Sequence, residues 1–336
     1  MDYLNALVLL ANFVLVPATA YGAQLALGAL GITLVYSILR FGNFAHGDTM
    51  AFGTMVVILT TWWLQGQGIG VPYLPTALIA LPVGIVATIA LVLLTDRLVY
   101  RHYRVVKAPP IRMVMASVGV MFVLNGLVRF IIGPDDRIFL DGERFVMKAS
   151  TLKNLTPLNE GLAIKASQAL TVVVALVLVV ALFAFLNRTR MGKAMRAFSD
   201  NEDLALLSGI SPSRVVAVTW IISGSLAVIA GTLYGLDKSF SPFTYFQLLL
   251  PMFAAAIVGG VGNPVGAILG GFVIAYSEVM VTYAYRKFAA YVLPADYVPD
   301  GLLQLLGTDY KFAVSFLILV IVLLVRPTGL LKGKVL

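Results

Sequence analysis

Apolar residues fall into ten runs, near 3–17, 20–39, 49–64, 72–95, 111–132, 166–187, 213–236, 246–260, 264–285 and 312–325. Many approach the roughly 20 residues with which a helix crosses a bilayer. The pattern therefore predicts an all-α, polytopic integral membrane protein with eight to ten transmembrane helices. The runs at 3–17, 246–260 and 312–325 are short, and are expected either to extend into flanking polar residues or to be broken or re-entrant segments buried by neighbours. The chain reads as a single transmembrane domain over 1–336, with a first half at 1–133, an outside connector at 134–165 and a second half at 166–336. If all ten runs cross, each half holds five, and an odd number gives the halves opposite topology, an inverted 5+5 pseudo-repeat. No clear sequence repeat accompanies that count.

Charge orients the runs. Arg97, Arg101, Arg104, Lys107 and Arg112 crowd one short loop against Asp96, and Arg188, Arg190, Lys193, Arg196 and Arg214 crowd another, so both loops are expected in the cytoplasm. Arg326, Lys332 and Lys334 place the C-terminus there, and counting four crossings back from Arg97 places the N-terminus there too. Leu4 to Val16 followed by Ala18-Thr19-Ala20 imitates a secretory signal, but residues 1–5 carry Asp2 and no basic residue, so a retained first segment is expected. With 60% hydrophobic and 12% charged residues, a soluble domain is excluded. The net charge of +8 lies in short loops, where it suits membrane lipid and not nucleic acid. Cysteine is absent, so thiolate chemistry is too, and His46 and His102 make no metal-site pattern.

Three polar interruptions stand out. Residues 192–215, GKAMRAFSDNEDLALLSGISPSRV, predict a short helix near 201–208 with Asp200 as its cap and Asp203 in its first turn. Gly209 supplies a left-handed end and Pro212 prevents continuation. Leu204, Leu206 and Leu207 make that helix too apolar to stand alone in water, so it packs either on its own membrane domain or on another protein. Residues 40–48, RFGNFAHGD, are either a cytoplasmic turn capped by Asp48 or a broken helix whose freed polar groups line a pathway. Residues 258–271, VGGVGNPVGAILGG, place Gly262, Gly266 and Gly270 on one helical stripe and start a new helix at Asn263-Pro264. Gln24, Asn125, Arg129, Gln247 and Glu278 are the polar groups expected at membrane depth. Glu278 is either a pathway acid or an interfacial carboxylate facing Arg286.

Taken together these stretches resemble the LivH-like branch of ABC import permeases for branched-chain amino acids. Gly192, Ala194, Arg196, Ala197, Ala205, Leu207, Gly209, Ile210, Arg214 and Val215 match its coupling segment. Asn43 to Gly47 match its N-F-A-H-G signature, and Gly259, Gly260, Gly262, Gly266, Ala267, Gly270 and Gly271 match its glycine-rich element. The resemblance runs from about Leu25 to Gly329 and implies a non-enzymatic permease subunit of an ATP-driven importer in a bacterial cytoplasmic membrane. The partners it implies are a second related permease, two ABC ATPase subunits and an extracytoplasmic solute-binding protein. It also implies no cofactor in this chain, ATP and magnesium being used by the ATPases. Within the cytoplasmic segment 188–214, ATPase coupling would fall to Arg196, Asp200, Asn201, Glu202, Asp203, Leu204, Leu206, Leu207 and Gly209. The pathway or its gate would use Asn43, Phe44, His46, Gly47, Asp48, Gly259, Gly260, Gly262, Asn263, Pro264, Gly266 and Glu278.

The chain has no G-x-x-x-x-G-K-[ST] phosphate loop, in keeping with hydrolysis elsewhere. The alternatives are a permease of the same branch for urea or short amides, and a gradient-driven transporter or channel. The latter usually carries paired carboxylates at mid-depth, where this chain offers Glu278. Leu250-Pro251-Met252 and the long segment Tyr285 to Lys311 depart from the family pattern.

Overall fold

A computed structural model describes residues 2–70, 74–141, 145–150, 153, 158–294, 301 and 303–331. Its long helices are α1 (Asp2–Leu39), α2 (His46–Gly66), α3 (Thr76–Val105), α4 (Pro110–Ile132), α5 (Ala166–Arg188), α8 (Pro212–Asp237), α9 (Pro242–Gly259), α10 (Pro264–Thr282) and α12 (Lys311–Val325). Short α6 (Arg190–Asp200) and α7 (Glu202–Leu207) join α5 to α8, and α11 (Arg286–Val292) follows α10. All of these except α2 and the three short helices are long and apolar enough to cross a membrane, α12 together with the turn Thr308–Tyr310 before it. The protein is a multi-pass membrane protein.

The ten apolar runs become nine long helices among the described residues, because 3–17 and 20–39 form one helix. Pro17 did not break it. The preceding turn, Ala11–Leu15, is widened to π geometry, and such a turn accommodates the donor that proline lacks. Within α1 the Asn5 side-chain oxygen accepts backbone N–H groups from Asn159 and Glu160, and that of Asn12 accepts one from Ala163. The start of α1 is thereby pinned to the connector. Strand β1 (Phe145–Met147) pairs antiparallel with β2 (Ile164–Lys165) on the same face.

At the opposite face Leu330 and Leu331 donate backbone bonds to the Val258 and Gly259 carbonyls, at the end of α9. The first and last described residues therefore lie on opposite faces. Eight helices among the described residues are long and apolar enough to cross a membrane, within the eight to ten expected. Lys332 and Lys334 lie outside the described residues.

From Ala18 onward α1 is buried nearly all round, packed chiefly against α10, α8 and α9. Such a helix is the core of its bundle. The perimeter helices α3, α4, α5 and α12 expose large apolar side chains, among them Val86, Phe122, Phe130, Leu176 and Leu324, a surface suited to hydrocarbon.

Candidate functional site

The break after α1 is re-entrant. Arg40 leaves the helix in a left-handed conformation (φ 55°), and Phe41, Asn43 and Ala45 are buried as the chain turns back toward the interior. The Asn43 carboxamide oxygen organises the turn, accepting the Ala45 N–H at 3.1 Å and the Tyr100 hydroxyl at 3.3 Å. The Phe44 N–H donates to Ser117 Oγ at 3.1 Å. Helix α2 then begins at His46, whose buried imidazole lies over Gly31 of α1, one short side chain from Ser223 of α8. Gly47 packs against the Tyr245 carbonyl of α9.

Asp48 was expected to cap α2 and does not. Its fully buried carboxylate turns sideways to α4, where Asn125 donates at 2.7 Å and Arg129, one turn on, acts on its charge. His46 Nε2 and Asp48 Oδ2 have no hydrogen-bond partner among the described residues. Below this turn, Tyr100 stacks on Trp220 at 5.3 Å, and Trp220 Nε1 donates to Asp96 at 2.7 Å. Asp96 in turn pairs with Arg104 at 2.5 Å, and the residues Asp96–Tyr100 form a second π turn. Tyr100 and Ser117 carried no local signal in the sequence. They lie 57 and 73 residues from their partners Asn43 and Phe44.

The second break is a tight turn between α9 and α10. Gly259 and Gly266 meet backbone to backbone, and a Cβ on Gly259 would stand 1.9 Å from the Gly266 carbonyl oxygen. Gly260 and Gly262 take positive φ in the turn, so Gly262 is not part of the expected helical stripe; Gly259, the last residue of α9, faces Gly266 and Gly270 from the other helix. Asn263 caps α10, its side-chain oxygen accepting from the Val265 and Gly266 N–H groups, and Pro264 fills the first helical position. Ser37 near the end of α1 donates to the Gly262 carbonyl at 3.2 Å.

The segment from α6 to the start of α8 sits directly beneath both breaks. Helix α6 buries Gly192, Met195 and Phe198 and exposes its other side. The cap of α7 is Asn201, accepting the Leu204 N–H at 3.0 Å; Asp200 ends α6 instead. Bonds from Gly209 N–H to the Leu206 carbonyl and from Ile210 N–H to the Ala205 carbonyl close α7, with Gly209 at φ 79°. Pro212 opens α8. Ala205 is buried, whereas Glu202 and Asp203 are exposed and Leu204, Leu206 and Leu207 are 60%, 43% and 85% exposed. Arg196, Ser199 and Asp200 share a cleft of about 250 Å3 with Ser37, Gly262 and Pro264, and the Arg40 guanidinium donates to the Ser199 carbonyl. The segment thus touches the start of one break and the side of the other.

Glu278 belongs to neither. It is 1% exposed near the connector face, bonded by the Ser315 hydroxyl and close to Tyr21 and Lys311, not to Arg286. The structure brings Asn43 to Asp48 together beside α4, gathers Gly259 to Gly266 beside α6, and leaves Glu278 apart from both.

Residues 14–323 match the family described as branched-chain amino acid transport system / permease component. The chain belongs to this family. The permease is 30% identical over 92% of both chains to the high-affinity branched-chain amino acid transport system permease protein LivH of Salmonella typhimurium. It is 29% identical, over 94% of both, to the corresponding protein BraD of Pseudomonas aeruginosa. A shorter match, 30% identical over 41% of the permease and 35% of the other chain, is to the permease protein LivM of the same Salmonella.

Proposed function

We propose that the permease is the membrane subunit of an ATP-driven importer that carries branched-chain or related small amino acids across a bacterial cytoplasmic membrane. It would pair with a second, related permease, receive solute from an extracytoplasmic binding protein and stand on two ATPase subunits that use ATP and magnesium. The observation that carries this reading is α7, a capped and terminated helix that holds Leu204, Leu206 and Leu207 outward with nothing among the described residues to cover them. An exposed apolar cluster with an acidic rim suits a groove on a partner. Family membership supports an ATPase as that partner. With the coupling face in the cytoplasm, the first residues of α1 and the connector lie outside.

The geometry supports a lever. Closing the ATPase pair moves α7, α6 follows, and Arg40 and the Ser37–Gly262 contact pass the displacement to both breaks. The re-entrant turn holds its shape through Asn43, Tyr100 and Ser117, so its displacement moves His46 and Asp48 together. Helix α4 turns Gly119 and Gly126 to the surface with open space above them, which allows close approach of another helix. The second permease is assigned to that face, beside Asp48 and Arg129.

The chain has no cysteine, so Leu206→Cys gives a single reactive thiol. In native membranes a short thiol-to-amine cross-linker at this position is expected to capture a P-loop ATPase. Efficient surface labelling of the thiol without capture of an ATPase would contradict the assignment.

A further inference from the structure

We infer that the outer side of the last turns of α3, Asp96 to Val105, is a binding site for the phosphate head of an anionic phospholipid of the surrounding membrane. Helix α3 runs for 30 residues, Thr76–Val105. At 1.5 Å per residue that is about 45 Å, against about 30 Å of hydrocarbon in a bilayer. When the apolar stretch from Ala77 to Leu94 fills the hydrocarbon, Asp96 to Val105 lies at the depth of the lipid heads.

The outward stripe of α3 changes character at that depth. Val83, Val86, Ala90 and Leu94 are exposed at the three- and four-residue steps of one helix face, and Arg97, Leu98, Arg101 and Val105 continue it. Leu98 and Val105 are 69% and 74% exposed beside the two arginines. Large apolar side chains alternating with guanidinium groups suit the boundary between lipid tails and heads, where the apolar stems face the tails and the charges reach the phosphates. Because Leu98 prolongs a stripe that already faces hydrocarbon, the membrane covers it and a soluble partner does not.

Charge selects the head. Arg97 and Arg101 are exposed and make no ion pair among the described residues, and the same holds for Lys107 and Arg112 in the turn that follows. Asp96 is the single acid between 96 and 112, and it is already engaged: Arg104 donates to both of its oxygens and Trp220 Nε1 to one of them. A zwitterionic head would bring an ammonium group with no carboxylate left to meet it. A head whose net charge is negative meets two free guanidinium forks, whose paired N–H groups match phosphate oxygens. The inner side of the same segment carries Tyr100, buried, stacked on Trp220 and donating to Asn43 of the re-entrant turn. A head held on the outside therefore steadies the support of that turn.

The chain has no cysteine, so Leu98→Cys carries a single fluorophore one residue from Arg97. The purified full-length permease is placed in phosphatidylcholine vesicles containing a small fraction of brominated lipid, which quenches on contact. Brominated phosphatidylglycerol is expected to quench at about tenfold lower mole fraction than brominated phosphatidylcholine, and Arg97→Gln with Arg101→Gln is expected to abolish that preference. Leu324→Cys, exposed at the end of α12 beside Arg326, is the control and is expected to show none. Absence of preference at Leu98→Cys, an equal preference at Leu324→Cys, or a preference unchanged in the double variant would each overturn the site. Should the double variant fail to insert, the comparison of the two labelled positions decides alone. Loss of a co-purifying ATPase from the double variant with lipid preference intact would assign the arginines to that protein instead. Deuterium exchange at the Phe44 and Ala45 amides is expected to slow when phosphatidylglycerol replaces phosphatidylcholine, and exchange indifferent to lipid would overturn the support of the turn.

Discussion

Gly259 shows how little freedom some positions have. Its nearest obstacle is the backbone of Gly266, which cannot rotate aside as a side chain can. Gly259→Ala is therefore expected to cost at least about 1–3 kcal/mol, the usual range for overpacking. A lowered thermal midpoint in detergent would show it, and an unchanged midpoint would mean that α9 and α10 do not meet there. At this scale the sequence showed which residues were unusual but not what they touch. Asn43 and His46 stood out as polar residues in apolar surroundings. That Asn43 binds Tyr100, or that Asp48 faces Asn125 and not the end of its own helix, depends on chain segments far away in sequence. Gly262 was misplaced on the stripe for a related reason. Helical spacing cannot reveal that the helix has not yet begun.

Helix α7 is the element whose limits were most legible, because its signals are local. Gly209 ends it at φ 79°, as expected, although Asn201 and not Asp200 caps it. Proline at 209 would need φ near −65° and would remove the N–H that bonds the Leu206 carbonyl. Gly209→Pro is expected to leave the protein inserted, since α8 and the other long helices are untouched, while ATP-dependent uptake falls to background. Normal uptake with correct insertion would remove α7 from the coupling path. Helix α1 was the opposite case. The apolar runs at 3–17 and 20–39 were read as separate, and nothing local announced that a π turn would carry one helix through. Residues 40–48 had been left as either a turn or a broken helix, and the burial of Phe41, Asn43 and Ala45, which packs this stretch inside the bundle, had no local signal.

On the scale of the whole molecule, the apolar runs and the charge of the loops made the membrane class and its two faces legible. The separation of the first two runs was not, because one helix runs through both 3–17 and 20–39. The faces have different chemistry. One presents exposed leucines on a stiff short helix; the other opens a cavity lined by lysines, tyrosines and three acids. Between them the buried core around α1 joins the two breaks. That arrangement suits a subunit moved from one face and loaded from the other. The most direct test of it is uptake of labelled leucine by proteoliposomes that contain the permease, its co-purifying partners and the binding protein. The account predicts accumulation that requires ATP on the coupling-face side and persists when proton and sodium gradients are collapsed. Accumulation by the permease alone, driven by either gradient without ATP, would contradict it.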